Sequence, residues 1–483
     1  MLFNTLDFAV FLPIVFVLYW LVTQNNLKLQ NCLLLVASYV FYGWWDWRFL
    51  SLIFFSSLVD YFIGIQLSKV EPQRSRKRLL LVSIFVNLGL LGFFKYYNFF
   101  VENFVSAFSF FGKSFEISSL NIILPVGISF YTFQTLSYSI DVYHRKIEPS
   151  KDMVSFFAFV SFFPQLVAGP IERASNLLPQ FNQKRTFDYT KAVDGMRQIL
   201  WGLFKKIVIA DNCAIYANEI FNHSAVYSGS TLLLGALFFT FQIYGDFSGY
   251  SDIAIGSARL FGFDLMKNFN FPYFSRNMAE FWRRWHISLN TWFRDYLYIP
   301  LGGSKGGTLF KIRNILIVFL VSGLWHGAKW TFLAWGFLNA LYFIPLIISR
   351  NNRNYLDNVA QGRIFTNLKE LIGMVSTFGL TVFAWIFFRA NHISHAFDYI
   401  HSMFDARLFQ IPIYYGDKKG LQALFLILVF MVIEWLGRTQ NYAIEKIGNQ
   451  KTTSLRWAIY ILIILSIFVF GNFNQTEFIY FAF

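Results

Sequence analysis

The chain has 483 residues, of which 56% are hydrophobic, 21% aromatic and only 14% charged. A soluble domain carries about a quarter charged residues, so this composition excludes an ordinary soluble enzyme and leaves an integral membrane protein with many spans. The formal charge of +14 sits in short loops between apolar runs, the positive-inside pattern of a bilayer protein, and no basic face stands apart from membrane-length neighbours, so nucleic acid is not an expected partner.

A bilayer crossing needs about 20 apolar residues, fewer where a segment is re-entrant. The first candidate, near 7–23, contains "LDFAVFLPIVFVLYWLV" and lacks the charged start and small-residue end of a cleavable leader, so it is read as a span. Further candidates lie near 31–45, 49–68, 79–96, 122–141, 153–168, 195–218, 230–246, 248–263, 314–326, 328–349, 371–388, 420–437 and 457–473. Several are short or hold polar residues. The expectation is an all-α polytopic protein with roughly 11 full spans plus re-entrant pieces, which survive in a membrane only where protein or a cavity covers them. Basic stretches at 68–78, 144–151, 350–363 and 437–456 orient the chain; with these in the cytoplasm, the N-terminus faces out. No internal repeat and no low-complexity linker is visible, so one domain over 1–483 is expected and a transporter of duplicated halves is disfavoured. Cys32 and Cys213 form neither a CxxC pattern nor a disulfide framework.

The longest interruption, 264–313, carries Lys267, Arg276, Arg283, Arg284, Arg294, Lys305, Lys311 and Arg313 against Asp264, Glu280 and Asp295. In helical register Phe281, Trp285, Leu289 and Trp292 share one apolar stripe, while Arg283, Arg284 and Arg294 can snorkel toward headgroups. An amphipathic helix at the inner interface, carrying His286, is the expected structure.

The candidate chemistry centres on "GLWHGAKW" (323–330). His326 is either a packing histidine bonded to a carbonyl or a functional group, and ionisable side chains in spans are costly and usually functional. Gly323 and Gly327 let a backbone or a ligand approach closely. Burial keeps such an imidazole neutral and able to take a hydroxyl proton. His286 by itself reads as an interfacial ring; Arg283, Arg284 and Arg294 change that only if an anionic ligand docks there, since arginine forks suit phosphates. His392, His395 and His401 make an HxxH with a further His in an external loop, but no acidic or Cys ligand completes a metal set, and no metal site is assigned. His144 is an interface residue and His223 a loop residue without a partner. Asp246 and Asp252 lie in "YGDFSGYSDIAIG", which reads as a broken helix whose freed amides they bond. Asp60, Asp141 and Glu434 pair with basic or polar neighbours.

Several absences narrow the chemistry. Neither "GDFSG" nor "GYSDI" is GxSxG, so no serine nucleophile elbow is present. "LGGSKGGT" (301–308) lacks the Lys-Ser/Thr ending of a P-loop and is a flexible turn or weak phosphate nest. No His is followed five residues on by Asp. What remains is a hydroxyl acceptor activated by histidine without a covalent enzyme intermediate.

Six blocks now carry a resemblance: "LPVGISFYTFQTLSYSIDVYH" (124–144), "SFFPQLVAGPIER" (161–173), "YGDFSGYSDIAIG" (244–256), "NFNFPYFSRNMAEFWRRWHISLNTWFRDYLYIPLGGS" (268–304), "SGLWHGAKWTFLAWG" (322–336) and "FIYFAF" (478–483). In this order over nearly the whole chain, they resemble the membrane-bound O-acyltransferase (MBOAT) family, in its bacterial branch of alginate O-acetylation and teichoic acid D-alanylation. The resemblance implies a ring of helices around a central funnel, in a multi-pass protein of the bacterial inner membrane. It implies that the family histidine matches His326 and the branch's second histidine His286. An acyl thioester such as acetyl-CoA, or an acyl carrier protein, would come from the cytoplasm, with no tightly bound cofactor. The acceptor would be a hydroxyl of an exported polysaccharide, reached directly or through a separate periplasmic or extracellular esterase-like partner. Arg283, Arg284 and Arg294 would meet the donor phosphates. Ala482 departs from the Gln-containing ending of alginate members, which weakens alginate as the acceptor. D-alanyl transfer to teichoic acid is the runner-up, and a glycan or acyl transporter the reading from another class.

Overall fold

Apolar runs of this length satisfy their backbone in lipid only as helices or closed barrels. The computed structural model describes residues 1–23, 25–110, 120–414, 416–449, 452–473 and 479, and is helical with no strand among them. Of the terminal block 478–483 only Ile479 is described, so Ala482 lies outside the described residues.

The chain divides into two compact units. Met1–Ala192 with Ser257–Met266 makes the first, and Val193–Gly256 with Lys267–Phe483 the second. The first holds α1 (Leu6–Val17), α2 (Leu27–Asp46), α3 (Leu50–Lys69), α4 (Gln73–Leu91), α5 (Tyr97–Phe110), α6 (Ile128–Tyr143), α7 (Met153–Ser161), α8 (Phe163–Leu166), α9 (Ala174–Phe181) and the start of α10 (Tyr189–Leu203). The second holds most of α10 and of α12 (Gly229–Leu260), with α11 (Asp211–Asn222), α13 (Met278–Arg284), α14 (Ile287–Phe293), α15 (Thr308–His326), α16 (Trp330–Ile348), α17 (Leu368–Arg389), α18 (Ile393–Met403), α19 (Asp417–Gly437) and α20 (Thr453–Phe470).

Among the described residues, eight helical stretches are long and apolar enough to cross a bilayer, and Leu6–Val22 and Met153–Leu166 are shorter apolar ones. The runs 230–246 and 248–263, expected as separate spans, form one 32-residue helix, α12.

In the first unit a buried acid stitches three helices. Asp60 of α3 is fully buried and accepts from Ser83 and Asn87 of α4 and from Ser139 of α6. Polar neighbours of this kind were expected for Asp60, because a carboxylate in an apolar interior is tolerated only when hydrogen-bonded.

In the second unit α12 is continuous through "YGDFSGYSDIAIG", which corrects the broken-helix expectation. Its glycines serve close packing instead of a break. A Cβ at Gly249 would stand 2.8 Å from the Gly202 carbonyl oxygen, and one at Gly256 would stand 2.5 Å from that of Gly195. Small residues let helix backbones approach where lipid supplies no hydrophobic driving force. The acids also differ from expectation. After α10 the chain makes a wide π-type turn, Phe204–Ala210, that inserts two lysines. Lys206 Nζ lies 2.8 Å from both Asp246 and Asp211. Lys205 Nζ lies 2.6 Å from Asp252 and 3.0 Å from Ser248 Oγ. Both lysines are at most 3% exposed. The acids of α12 therefore neutralise buried ammonium groups, and one backbone amide, that of Ile479, also bonds Asp246. Glu434 of α19 accepts from Tyr244 and Trp201, as expected of a polar-paired acid.

Gly249→Ala should push α10 and α12 apart and lower stability by about 1–3 kcal/mol. A thermal midpoint of the detergent-purified protein equal to that of the wild type would contradict this packing role.

Candidate active site

His326 is the last residue of α15, in the second unit. The helix stops because Gly327 turns extended and the chain reverses into α16. The glycines of this block admit the neighbouring helix. A Cβ at Gly323 would meet the Phe332 carbonyl oxygen at 2.3 Å, one at Gly336 that of Phe319 at 2.4 Å, and one at Gly327 the Phe332 ring at 2.2 Å. The close approach expected at Gly323 and Gly327 is thus made by α16. The hairpin holds the imidazole among three rings: Trp325 at 5.0 Å, Trp335 of α16 at 5.1 Å and Phe388 of α17 at 5.3 Å between centroids. His326 is 4% exposed, so bulk water is kept from the ring.

His286 sits where the expected amphipathic helix breaks. α13 starts at a cap in which Asn277 accepts from Glu280 N, and its helical course ends at Trp285, which is extended. His286 is left-handed, with φ 44°, and α14 restarts at Ile287. That conformation costs roughly 1–2 kcal/mol for a non-glycine residue. The surrounding bonds hold it in place. Asn290 Nδ2 donates to the Trp282 and Trp285 carbonyls, and Ile287 N to the Asn268 carbonyl at 2.8 Å. Phe281, Trp285, Leu289 and Trp292 are all buried, so the apolar stripe faces protein and the interfacial-helix expectation is corrected.

The break aims the ring inward. His286 is 1% exposed, with Phe247 of α12 edge-on at 4.6 Å. Its Nδ1 lies 2.9 Å from Asn268 Oδ1, which also accepts from Ser288 Oγ at 2.8 Å. The amide is oriented because Asn268 Nδ2 donates to Ser251 Oγ of α12. Nδ1 therefore carries the proton and Nε2 the lone pair. Nε2 is buried and has no hydrogen-bond partner among the described residues. His286 lies outside the candidate spans, and burial lowers its pKa from 6.5 to about 3, so the ring is neutral at physiological pH. The structure packs both histidines against Trp325, whose ring centroid is 5.9 Å from that of His286 and 5.0 Å from that of His326.

The three arginines are not gathered at one point. Arg284 is buried against Glu280 at 2.9 Å and donates to the Asp357 carbonyl. It does not reach a headgroup region. Glu280 also binds Arg276, which reaches Asp357 and Glu370. Arg283 is exposed and donates to the Asn352 and Tyr355 carbonyls. Arg294 is exposed and pairs with Asp295. Arg283 and Arg284 thus share the basic 350–363 loop.

The remaining histidines also move from expectation. His392 caps α18, and His395 and His401 ride on that helix rather than on a loop. Among the described residues no three His, Cys, Asp or Glu side chains converge as a metal set. His223 has a partner, Glu219, at 3.1 Å.

Sequence reading missed Asn268, Ser251 and Ser288, which hold His286, and Lys205 and Lys206, which hold α12. Two lysines inside the apolar run 195–218, facing two acids in another run, were the available signal for the second pair. Nothing local marked Asn268, because its role depends on a turn 18 residues away.

The family description "MBOAT, membrane-bound O-acyltransferase family" matches residues 41–386. The chain is 40% identical over 434 residues to the probable alginate O-acetylase AlgI of Pseudomonas aeruginosa, covering 89% of this chain and 80% of that protein. It is 36% identical over 432 residues to the peptidoglycan O-acetyltransferase of Helicobacter pylori, covering 83% and 80%. Similarity to the teichoic acid D-alanyltransferase of Streptococcus thermophilus is 27% over 284 residues, covering 54% and 68%.

A histidine with a depressed folded pKa must take up a proton in the unfolded chain below its unfolded value of about 6.5. Its contribution to stability is complete above that pH and is lost as pH falls toward 3. Detergent unfolding curves should therefore weaken below pH 6.5, and His286→Gln should flatten that slope. Asn268→Asp sets a carboxylate against Nδ1 and should raise the His286 pKa in ¹⁵N-histidine NMR; an unmoved titration would remove Asn268 from the site.

Proposed function

This chain belongs to the membrane-bound O-acyltransferase family, and from that premise we propose that it moves an acetyl group from a cytoplasmic thioester, such as acetyl-CoA, to hydroxyls of an exported cell-surface polysaccharide. It is a multi-pass membrane O-acyltransferase; its proposed location is the bacterial inner membrane. Transfer proceeds directly or through a periplasmic or extracellular esterase-like partner.

His326 is the proposed base. Its imidazole takes the acceptor hydroxyl proton as the oxygen attacks the thioester carbonyl carbon. The carbon–sulfur bond breaks, and the thiolate leaves toward the donor side with that proton. His286 orients or polarises the donor carbonyl, or assists the proton. The single observation that carries this reading is the packing of two buried imidazoles against one ring, Trp325. The ends of the second unit support it. Arg283 and Arg284, beside His286 in sequence, contact the basic 350–363 loop, while His326 lies where α15 ends and α16 begins. A donor with phosphates would meet the first end and an alcohol the second. Exclusion of water protects the thioester from hydrolysis.

Acetyl transfer is preferred over D-alanyl transfer because the two O-acetylating relatives align over more than four fifths of the chain, the D-alanyl relative over about half. The relatives' names offer alginate and peptidoglycan as acceptor types.

His326→Ala should reduce glycan O-acetyl content at least about 100-fold at unchanged protein level, the span expected of a positioned base. His286→Ala should also reduce it. Undiminished acetylation in His326→Ala removes the proposed role.

A further inference from the structure

A cavity of about 760 Å³ opens in the second unit between the end of α11 with the turn that follows it, 221–226, and α18, separate from the rings that hold His326. Pockets of 300–1,000 Å³ suit small organic ligands. Two observations relate it to the reaction.

The first is position. Phe388 packs on His326, and the next residue, Arg389, lies with its guanidinium 5.5 Å over the ring of Phe221, on the cavity wall. Phe221 in turn stacks on Tyr399 of α18 at 4.4 Å. The cavity is thus one residue of α17 removed from the histidine's own packing shell.

The second is polarity. Arg438 donates to the carbonyls of Val359 and Ala360, so the basic loops 350–363 and 437–456 lie together at one end of the unit. α16 and α19 run to that end and α17 runs away from it. The cavity lies at the other end, which holds Lys329, Arg389, Arg407, Lys418 and Lys419, five basic residues against seven in the loops 350–363 and 437–456. By the positive-inside rule this is the outer face.

The wall is rich in planar hydrogen-bonding groups. His395 is spent on structure: its Nε2 bonds Ser224 Oγ and its Nδ1 accepts from Asn391 N. His392 accepts with Nδ1 from His395 N, which leaves its proton on Nε2. Asp398 and His401 line the cavity, are exposed, and make no side-chain hydrogen bond to the described residues. A carboxylate and imidazoles together accept from and donate to the vicinal hydroxyls of a sugar.

We propose that this cavity is an outer-face subsite for one or two sugar rings of the acceptor glycan, held through Asp398, His401 and His392 beside His326. The proposal rests on the acyl-transfer reading above and adds the place where acceptor binds.

Equilibrium titration of the full-length chain in detergent tests it, with a de-O-acetylated alginate oligosaccharide, a peptidoglycan disaccharide fragment and zinc ion alone as probes. The wild type should bind one of the saccharides. Asp398→Ala combined with His401→Ala should raise its Kd about tenfold, the loss of one or two hydrogen bonds. Asp398→Asn should restore part of it, and His326→Ala should bind as the wild type. Both altered residues are exposed, so the thermal midpoint should not move. Wild-type binding of neither saccharide, an unchanged Kd in the double variant, or binding of zinc alone overturns the subsite. The glycan O-acetyl assay of His326→Ala stands apart from this titration, so the subsite can fall while acyl transfer stands, and the reverse.

Discussion

The second unit depends on how α12 disposes of its polar side chains. Four of them face protein within seven residues: Asp246, Ser248, Ser251 and Asp252. An unpaired charge there would cost several kcal/mol, so each has a fixed answer. Lys206 answers Asp246, Lys205 answers Ser248 and Asp252, and Asn268 answers Ser251. The three lysine bonds anchor the wide turn after α10. The Asn268 bond anchors the segment that runs beside the α13–α14 break. One row of polar groups thus fixes both a packing partner and the support of His286.

That support explains why a left-handed histidine is tolerated. The strain at His286 is small beside the bonds that over-determine it, from Asn268, Ser288 and Asn290. Strained backbone of this kind persists where surrounding structure imposes it, and it concentrates at functional sites. The strain turns the ring off the helix axis and into the interior. A glycine-bearing hairpin does the equivalent work for His326: α16 comes close enough to α15 for Trp335 to reach the ring, and α17 adds Phe388. The two imidazoles are thus set by different devices, a helix break and a close helix pair.

The end-to-end asymmetry of the second unit follows from the same economy of charge. The arginines next to His286 are held by Glu280 and by carbonyls of the 350–363 loop. The end with α18 carries histidines and an aspartate, and fewer basic residues than the other end. Under the proposed transfer, a thioester bearing phosphates would approach the first end and a neutral alcohol the second.

Composition and periodicity determined much by themselves. An apolar, aromatic, sparsely charged chain with runs of helix-spanning length is read as helical in lipid, because continuous apolar runs suit helices and not the alternating strands of a closed barrel. The blocks around His286 and His326 marked the family, while His286 read by itself only as an interfacial ring and entered the candidate site through the resemblance. Asp60 and Glu434 were legible as paired acids, since a carboxylate in an apolar interior is tolerated only when hydrogen-bonded. Tertiary structure decided the rest. "YGDFSGYSDIAIG" reads locally as a broken helix, yet its glycines meet the backbone of α10 and its acids meet lysines some 40 residues earlier, so the helix runs on. "FWRRWHISLN" reads locally as an amphipathic helix, yet bonds from Asn268 and Asn290 break it at His286. Arg284 looks like a headgroup ligand until Glu280 takes it. In each case the deciding partner lies elsewhere in the chain or beyond a turn, and the free energy of pairing a buried polar group, several times larger than local helix propensity, overrides what the neighbouring residues prefer.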